Sequence, residues 1–334
     1  MESLFYAAVL GAVLVVAWFF ALGSVLGSYL NVLVWRLPRR IPVGMSRSRC
    51  PRCEASIRAT DNIPIVSWIL LRGRCRNCHE PISPRYPLVE ATVAIEFALL
   101  AWFQLVLQGW NLPWYDRHVH DFPSWMYHFP QWELVLPCGL FAVMLYVTLA
   151  AALIDFDGFG VPATITQPAV LIGLTGWVIP AIEYFVHTGD WEVWRISLQY
   201  LRAGLISAGI GGLLGILLKR QSPRLSRPSL VCQPLVVQLM LISLFTDWRF
   251  AFGVFVWSVL VHAAVGGTRG RSATSVWTLP FVVHAMALLQ VLAWRELWLI
   301  PGYPGRPDWL VANLGWGVLA GTVLLWDGRR RRSQ

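Results

Sequence analysis

Charge is scarce in this chain, and one cation is nearly missing from it. Only 13% of the 334 residues are charged, and all 27 basic residues except Lys219 are arginine. Acids number 18, and none lies between Lys219 and Thr246. So little charge, with 56% hydrophobic residues, nineteen Trp and a mean hydropathy of +0.56, excludes an ordinary soluble domain. The composition is that of a polytopic membrane protein. The first apolar run lacks a basic start and is too long for a cleaved signal peptide, so it reads as a retained anchor. No repeat is evident, and the only biased tract is the tail Arg329 to Arg332. The net charge of +9 is nearly all Arg. In a membrane chain such charge sets topology and touches anionic lipid, so no nucleic-acid partner is expected.

Cysteine is also rare, with six in the chain, but four of them are patterned. Cys50-Pro51-Arg52-Cys53 is followed, after twenty-one residues, by Cys75-Arg76-Asn77-Cys78. Each Cys-x-x-Cys turns two thiolates toward one point, and two such turns make the closed sulfur set a structural zinc prefers. A pair of disulfides is the other reading. The basic flanks favour zinc, because they argue for a reducing cytoplasmic face. From Arg36 to Arg85 there are eleven Arg against Glu54, Asp61 and Glu80. The two remaining cysteines, Cys138 and Cys232, lie in or beside apolar segments and read as buried small residues.

Apolar runs fall at about 5–34, 88–109, 134–154, 165–186, 198–218, 231–246, 250–266, 277–294 and 309–326. Several approach the roughly 20 residues a helix needs to cross hydrocarbon. The sixth and seventh are short and suggest a helical hairpin turning at Thr246-Asp247-Trp248-Arg249. The fold class expected is therefore all-α, with eight or nine transmembrane helices and a small zinc ribbon, 36–87, between the first two. Nine spans place every basic loop on one side, with the ribbon and C-terminus cytoplasmic and the N-terminus outside. The loop 110–133 is then external. Its Trp110, Trp114, Trp125 and Trp132 read as an interfacial belt, and His118, His120 and His128 as solvated or interfacial side chains rather than a metal site. Gly23 and Gly27 form a small-residue face for close helix packing, Asn31 can bond a neighbouring helix, and Pro38 ends the first helix.

A family resemblance emerges from these residues. Gly27-Ser28-Tyr29-Leu30-Asn31-Val32, Arg36-Leu37-Pro38, the two cysteine pairs, Asn62-Ile63-Pro64, Ser67-Trp68 and Pro81-Ile82-Ser83-Pro84-Arg85-Tyr86-Pro87-Leu88-Val89-Glu90 resemble the opening domain of bacterial type IV prepilin peptidases. The agreement is nearly continuous from about 23 to 102. The resemblance implies an inner-membrane aspartic endopeptidase that removes the leader of type IV prepilins or type II secretion pseudopilins. It also implies that the leader and N-terminal helix of such a substrate are the partner, alongside membrane lipid. Many members then methylate the new N-terminus with S-adenosylmethionine, which makes that cofactor an expectation too. The domains implied are 1–109, of prepilin-peptidase N-terminal type, the external loop 110–133, and a membrane peptidase-like domain, 134–334.

The family cuts with two aspartates. One carboxyl holds a proton as acid while the other activates water. Ile154-Asp155-Phe156-Asp157 followed by Val161-Pro162-Ala163-Thr164-Ile165-Thr166 resembles the first site, with Ala163 where the family has Asp, and Asp155 takes the catalytic position. Without the resemblance, Asp155 and Asp157 read as a helix-end turn in interfacial water. The second site, a Gly-rich turn with Asp, has no counterpart: Pro234, Leu235, Val236 and Val237 stand where it is expected. Asp247 belongs at the opposite membrane face, a bilayer away from Asp155. Asp157, Glu90 and Asp327 are the candidate replacements. Two other functions follow from the same residues: a non-catalytic relative that binds pilin-like helices as an assembly factor, and, from a different class, a membrane transporter. A transporter would show broken helices and mid-membrane polar residues, and these are sparse here.

Overall fold

Where they are described, the long apolar runs become helices. The structure, a computed structural model, describes residues 2–44, 48–112, 132–188, 228–246, 248–268, 279–300, 303, 316 and 319. Among them the helices are α1 (Glu2–Arg36), α2 (Val66–Leu70), α3 (Arg85–Leu100), α4 (Trp132–Phe156), α5 (Ala163–Thr188), α6 (Pro228–Phe245), α7 (Trp248–Thr268), α8 (Leu279–Leu292) and α9 (Trp294–Leu299). A single wide π-helical turn, Ala101–Val106, prolongs α3. Among the described residues, three segments are long and apolar enough to cross a membrane: Phe5–Arg39, Arg85–Val106 and Leu134–Phe156. Shorter apolar helices run over Pro234–Phe245, Phe250–His262 and Leu279–Leu292. The expected runs at 198–218 and, apart from Trp316 and Leu319, at 309–326 lie outside the described residues. So do Asp247, Asp327, His118, His120 and His128.

The chain divides into two compact units, one within Met1–Trp110 and Trp114–Cys138, the other within Asn111–Pro113 and Gly139–Gln334. In the first, α1 packs along α3 through its glycines. A Cβ on Gly23 would sit 2.7 Å from the Val93 carbonyl oxygen, and one on Gly27 would sit 2.7 Å from Glu90 Cα. Only hydrogen fits between backbones this close, which is why small residues four apart were needed on this face. Asn31 Nδ2 then donates across the helix pair to the Tyr86 carbonyl at 3.2 Å. Pro38 falls in a 3₁₀ turn, Leu37–Arg39, that ends α1.

In the second unit α6 and α7 form the expected hairpin, with α6 ending at Phe245 and α7 starting at Trp248. Buried polar side chains stitch its helices together. Gln238 Nε2 donates to the carbonyls of Thr148 and Pro280, both at 2.9 Å, and Thr148 Oγ1 lies 3.0 Å from His284 Nδ1. Gln290 Nε2 donates to the Phe250 carbonyl at 3.1 Å, and Phe250 meets Trp294 edge-on with ring centroids 4.5 Å apart. In an apolar bundle these bonds give register that dispersion alone does not.

Candidate functional site

The ribbon is built from one short motif used twice. In the first copy Cys50 N–H donates to the Ala55 carbonyl, Glu54 N–H to Cys50, and Ile57 N–H to Ser48. In the second, Cys75 N–H donates to Glu80, His79 N–H to Cys75, and Ile82 N–H to Gly73. Isolated antiparallel bridges pair Arg49 with Ser56 and Arg74 with Pro81. Glu54 and His79, each just after the second cysteine of its pair, both take positive φ, 56° and 58°. Every partner in the second copy lies twenty-five positions beyond its equivalent in the first. No repeat is evident in the sequence, because Ser48–Ile57 and Gly73–Ile82 share only an Arg, the two cysteines and the final Ile. The repeat lies in the hydrogen bonds, and only the cysteine spacing signals it.

The two turns aim four sulfurs at one point. The Sγ atoms of Cys50, Cys53, Cys75 and Cys78 all lie within 4.8 Å of one another, and Cys50 Sγ is 3.8 Å from Cys78 Sγ. All four cysteines are free. A tetrahedron with metal–sulfur bonds of about 2.3 Å has sulfur–sulfur edges of about 3.8 Å. A disulfide needs about 2.05 Å. The donor set therefore fits a tetrahedral thiophilic dication. The thiols are electrostatically unequal. The Asn77 amide, donating to Cys53 Sγ at 3.5 Å, and the Ala55 N–H bring Cys53 down to about 6. The Cys78 and Asn77 N–H groups lower Cys75. At Cys78 the Glu80 N–H pulls downward, but desolvation and the sulfurs of Cys53, Cys75 and Cys50 push it up to about 12. Crowded thiols resist sharing negative charge, and a dication relieves that repulsion.

Two side chains tie parts of the ribbon to one another. Arg76 clamps Asp61 through Nε at 2.7 Å and Nη2 at 2.6 Å, joining the 3₁₀ turn Ala59–Asp61 to the second cysteine pair. Trp68 Nε1 donates to the Ile82 carbonyl at 3.1 Å, and its ring covers Gly73, whose φ of 66° suits glycine.

Asp155 stands in the last turn of α4. Phe159 N–H donates to the Ile154 carbonyl at 3.1 Å, and Gly158 N–H to the Asp155 carbonyl at 2.8 Å. With Gly158 at φ 78°, this is the Schellman arrangement that terminates a helix. It fixes the backbone of Asp155 and turns the chain toward Val161-Pro162 and α5. Asp155 and Asp157 are both half-buried. Among the described residues the Asp155 carboxylate has no hydrogen bond or ion pair. Helix α6 carries no acid in its eighteen residues, and Pro234 and Leu235 are buried apolar side chains. Seven residues before Asp155, two turns along the same face of α4, is Thr148 of the buried network. Thr148, Gln238 and His284 belong to no sequence motif. Their signal was polarity inside apolar runs.

Glu90 is 8% exposed, near the start of α3. Its Oε2 accepts the Ile65 N–H at 2.7 Å, and the Ser28 side chain hydrogen-bonds to it as well. Asp327 lies outside the described residues.

A model of the bacterial peptidase A24 N-terminal domain matches residues 21–104. The "Type 4 prepilin-like proteins leader peptide-processing enzyme" of Escherichia coli O78:H11 is 33% identical over 172 residues, 46% of this chain and 53% of that protein. The "Prepilin leader peptidase/N-methyltransferase" of Myxococcus xanthus is 30% identical over 248 residues, 74% of this chain and 61% of that protein. The protein of the same name from Neisseria gonorrhoeae is 32% identical over 177 residues, 46% of this chain and 52% of that protein. The matches thus span about half to three-fifths of the length of these curated relatives. No solved structure matches.

Proposed function

Because the chain belongs to the bacterial prepilin peptidase family, we propose that it is an inner-membrane endopeptidase of aspartic type acting on the leaders of prepilin-like or pseudopilin-like substrates. The observation that carries this reading is Asp155, held by its Schellman turn at the end of an apolar helix, in a chain whose residues 21–104 match the peptidase N-terminal domain. In this reading eight or nine spans cross the membrane, and the ribbon and C-terminus face the cytoplasm. Cys50, Cys53, Cys75 and Cys78 hold a structural zinc. S-adenosylmethionine enters the proposal only through the relatives' names, which include N-methyltransferase.

Peptide hydrolysis by carboxylates needs two of them. An ionised carboxylate takes a proton from water as its oxygen bonds to the scissile carbonyl carbon, and a protonated one gives a proton to the carbonyl oxygen. Breakdown of the tetrahedral intermediate then expels the amine, which takes a proton as it leaves. Asp155 supplies one of these roles. The second acid is proposed among Asp157, Glu90 and Asp327. Of these, Glu90 already accepts two hydrogen bonds, and Asp157 stands two residues from Asp155 in the same turn.

One observation favours a second reading, a family member that binds pilin-like helices without cutting them. That observation is the acid-free stretch through α6. Purified protein in lipid, incubated with a prepilin carrying a basic leader, separates the two. Cleavage lost in Asp155→Asn supports the peptidase, and Asp157→Asn, Glu90→Gln and Asp327→Asn then locate the second acid. Retained binding of the same prepilin without cleavage selects the binding protein.

A further inference from the structure

The ribbon exposes apolar side chains that its own fold does not use. Val66, Ile69 and Leu70, at i, i+3 and i+4 of α2, are 47%, 61% and 73% exposed, and Ile63 just before them is 49% exposed. Three apolar residues on one helix face form a stripe that needs an apolar neighbour. The position of α2 in the first unit indicates what that neighbour is. Glu90 is bonded to Ile65, the residue that opens α2, and lies only four residues, roughly 6 Å, along α3 from Tyr86. Tyr86 is in turn level with Asn31 of α1 through their hydrogen bond. Around this level Tyr29, Trp35 and Tyr86 are exposed, as aromatic side chains are where a helix leaves hydrocarbon. The stripe therefore sits at the height where α1 and α3 pass from apolar to polar surroundings.

Charge points to the same neighbour. Arg58, Arg72 and Arg74 flank α2 and are exposed, and Arg39, stacked 3.6 Å over the Trp35 ring, stands at the end of α1. Of the three acids between Arg36 and Arg85, Asp61 is taken by Arg76 and Glu80 lies 4.0 Å from Arg52. Such a surface repels a basic leader peptide and attracts phosphate.

We propose that the Ile63–Leu70 segment is a membrane-surface anchor, with its apolar stripe in the acyl–headgroup boundary and its flanking arginines on the phosphates of anionic phospholipid in the bilayer that holds α1 and α3. The anchor rests on the reading of α1 and α3 as membrane spans. It would hold the ribbon against the membrane at a fixed height, restricting the space beside the start of α3.

The test uses the full chain with the photoreactive residue p-benzoylphenylalanine at Leu70 or, separately, at Leu10, which is 59% exposed within the apolar run of α1. The protein is reconstituted in nanodiscs of phosphatidylcholine with a quarter of phosphatidylglycerol, irradiated and analysed by mass spectrometry. Lipid adducts at both positions are expected. An adduct at Leu10 with none at Leu70, or adducts from Leu70 only to peptides of this chain, overturns the anchor and leaves the spans intact. Absence at Leu10 overturns the spanning reading and the anchor with it. Hydrogen exchange of residues 63–74 supplies the charge arm. Slower exchange in the anionic discs than in pure phosphatidylcholine is expected, with the difference lost in a combined Arg72→Gln and Arg74→Gln variant. Equal exchange in both lipids overturns the arginine–phosphate contact.

Discussion

The Glu90 carboxylate accepts the backbone N–H of Ile65 at 2.7 Å, and Ile65 is a β-branched residue at φ 64°. β-Branched side chains avoid that region, so the conformation persists only because something fixes it. Glu90 is the fixing group, and it joins the ribbon to α3. Glu90→Ala is expected to remove a hydrogen bond to a buried acceptor and cost about 1–3 kcal/mol. Hydrogen exchange at 63–70 should accelerate. Glu90→Gln keeps an acceptor oxygen and should retain most of the protection. If Glu90→Gln instead abolishes prepilin cleavage while exchange stays slow, Glu90 is the second acid rather than a positioning residue.

The zinc proposed for the ribbon is linked to its Arg76–Asp61 ion pair. One zinc per chain is expected by elemental analysis, lost in Cys78→Ser, with α1 and α3 still resisting alkaline extraction from membranes. Asp61 is held below the usual carboxylate range, first by the hydrogen bonds from Arg76 and then by its charge. A lowered folded pKa means that the pair's contribution is complete above the ordinary carboxylate pKa. The contribution disappears as pH falls through the lowered value. The pair should therefore be intact at neutral pH and fail only in acid below the ordinary carboxylate range. Asp61→Asn, with the bidentate clamp weakened, should release zinc faster to a competing chelator at neutral pH. Unchanged release would mean that the second cysteine pair holds its shape without Arg76.

Cysteine spacing made the sulfur cluster legible in the sequence, because two Cys-x-x-Cys turns have few other uses. The glycine pair at 23 and 27 and the hairpin at 246–249 were legible for the same reason, each being a local pattern with one geometric meaning. The tie between Ile65 and Glu90 was not legible. It joins residues twenty-five apart through a backbone N–H, which every non-proline residue has. Thr148, Gln238 and His284 were equally hidden, since their bonds depend on three helices meeting. Asp155 was found through family likeness. Its Schellman turn could have been suspected from Gly158 alone, but glycine is too common in this chain to single one out.

Close packing of α1 on α3 makes Gly27 intolerant of any side chain. A Cβ there would meet the Glu90 Cα at 2.7 Å and the Val89 carbonyl oxygen at 3.1 Å, both backbone atoms that cannot swing aside. Gly27→Ala should push the helices apart and cost about 1–3 kcal/mol as overpacking does. Gly27→Leu should cost more and should also disturb the Asn31–Tyr86 bond. Gly139→Ala, which meets nothing within 4 Å, is the matched control and should be neutral or slightly stabilising. Thermal stability in detergent, measured for all three variants, checks the order.

Asp155 and Gly158 permit chemistry to be separated from fold. Asp155→Asn leaves the backbone bond from Gly158 to the residue 155 carbonyl in place, because that bond uses no side chain. Its thermal stability should match the parent. If Asp155 is one of the two reacting carboxylates, cleavage should nevertheless vanish, since an amide cannot take the proton from water. Gly158→Ala has the opposite profile. The carboxylate remains, but a Cβ at φ 78° costs about 1–2 kcal/mol and strains the turn that fixes Asp155. Stability should fall by that amount, and any cleavage should weaken through kcat as Asp155 loses its position. Gly158→Asn should recover part of both losses, because asparagine tolerates the left-handed region better than alanine. Unimpaired cleavage by Asp155→Asn would remove Asp155 from the chemistry. Unimpaired stability in Gly158→Ala would show that the helix end does not depend on the Schellman turn.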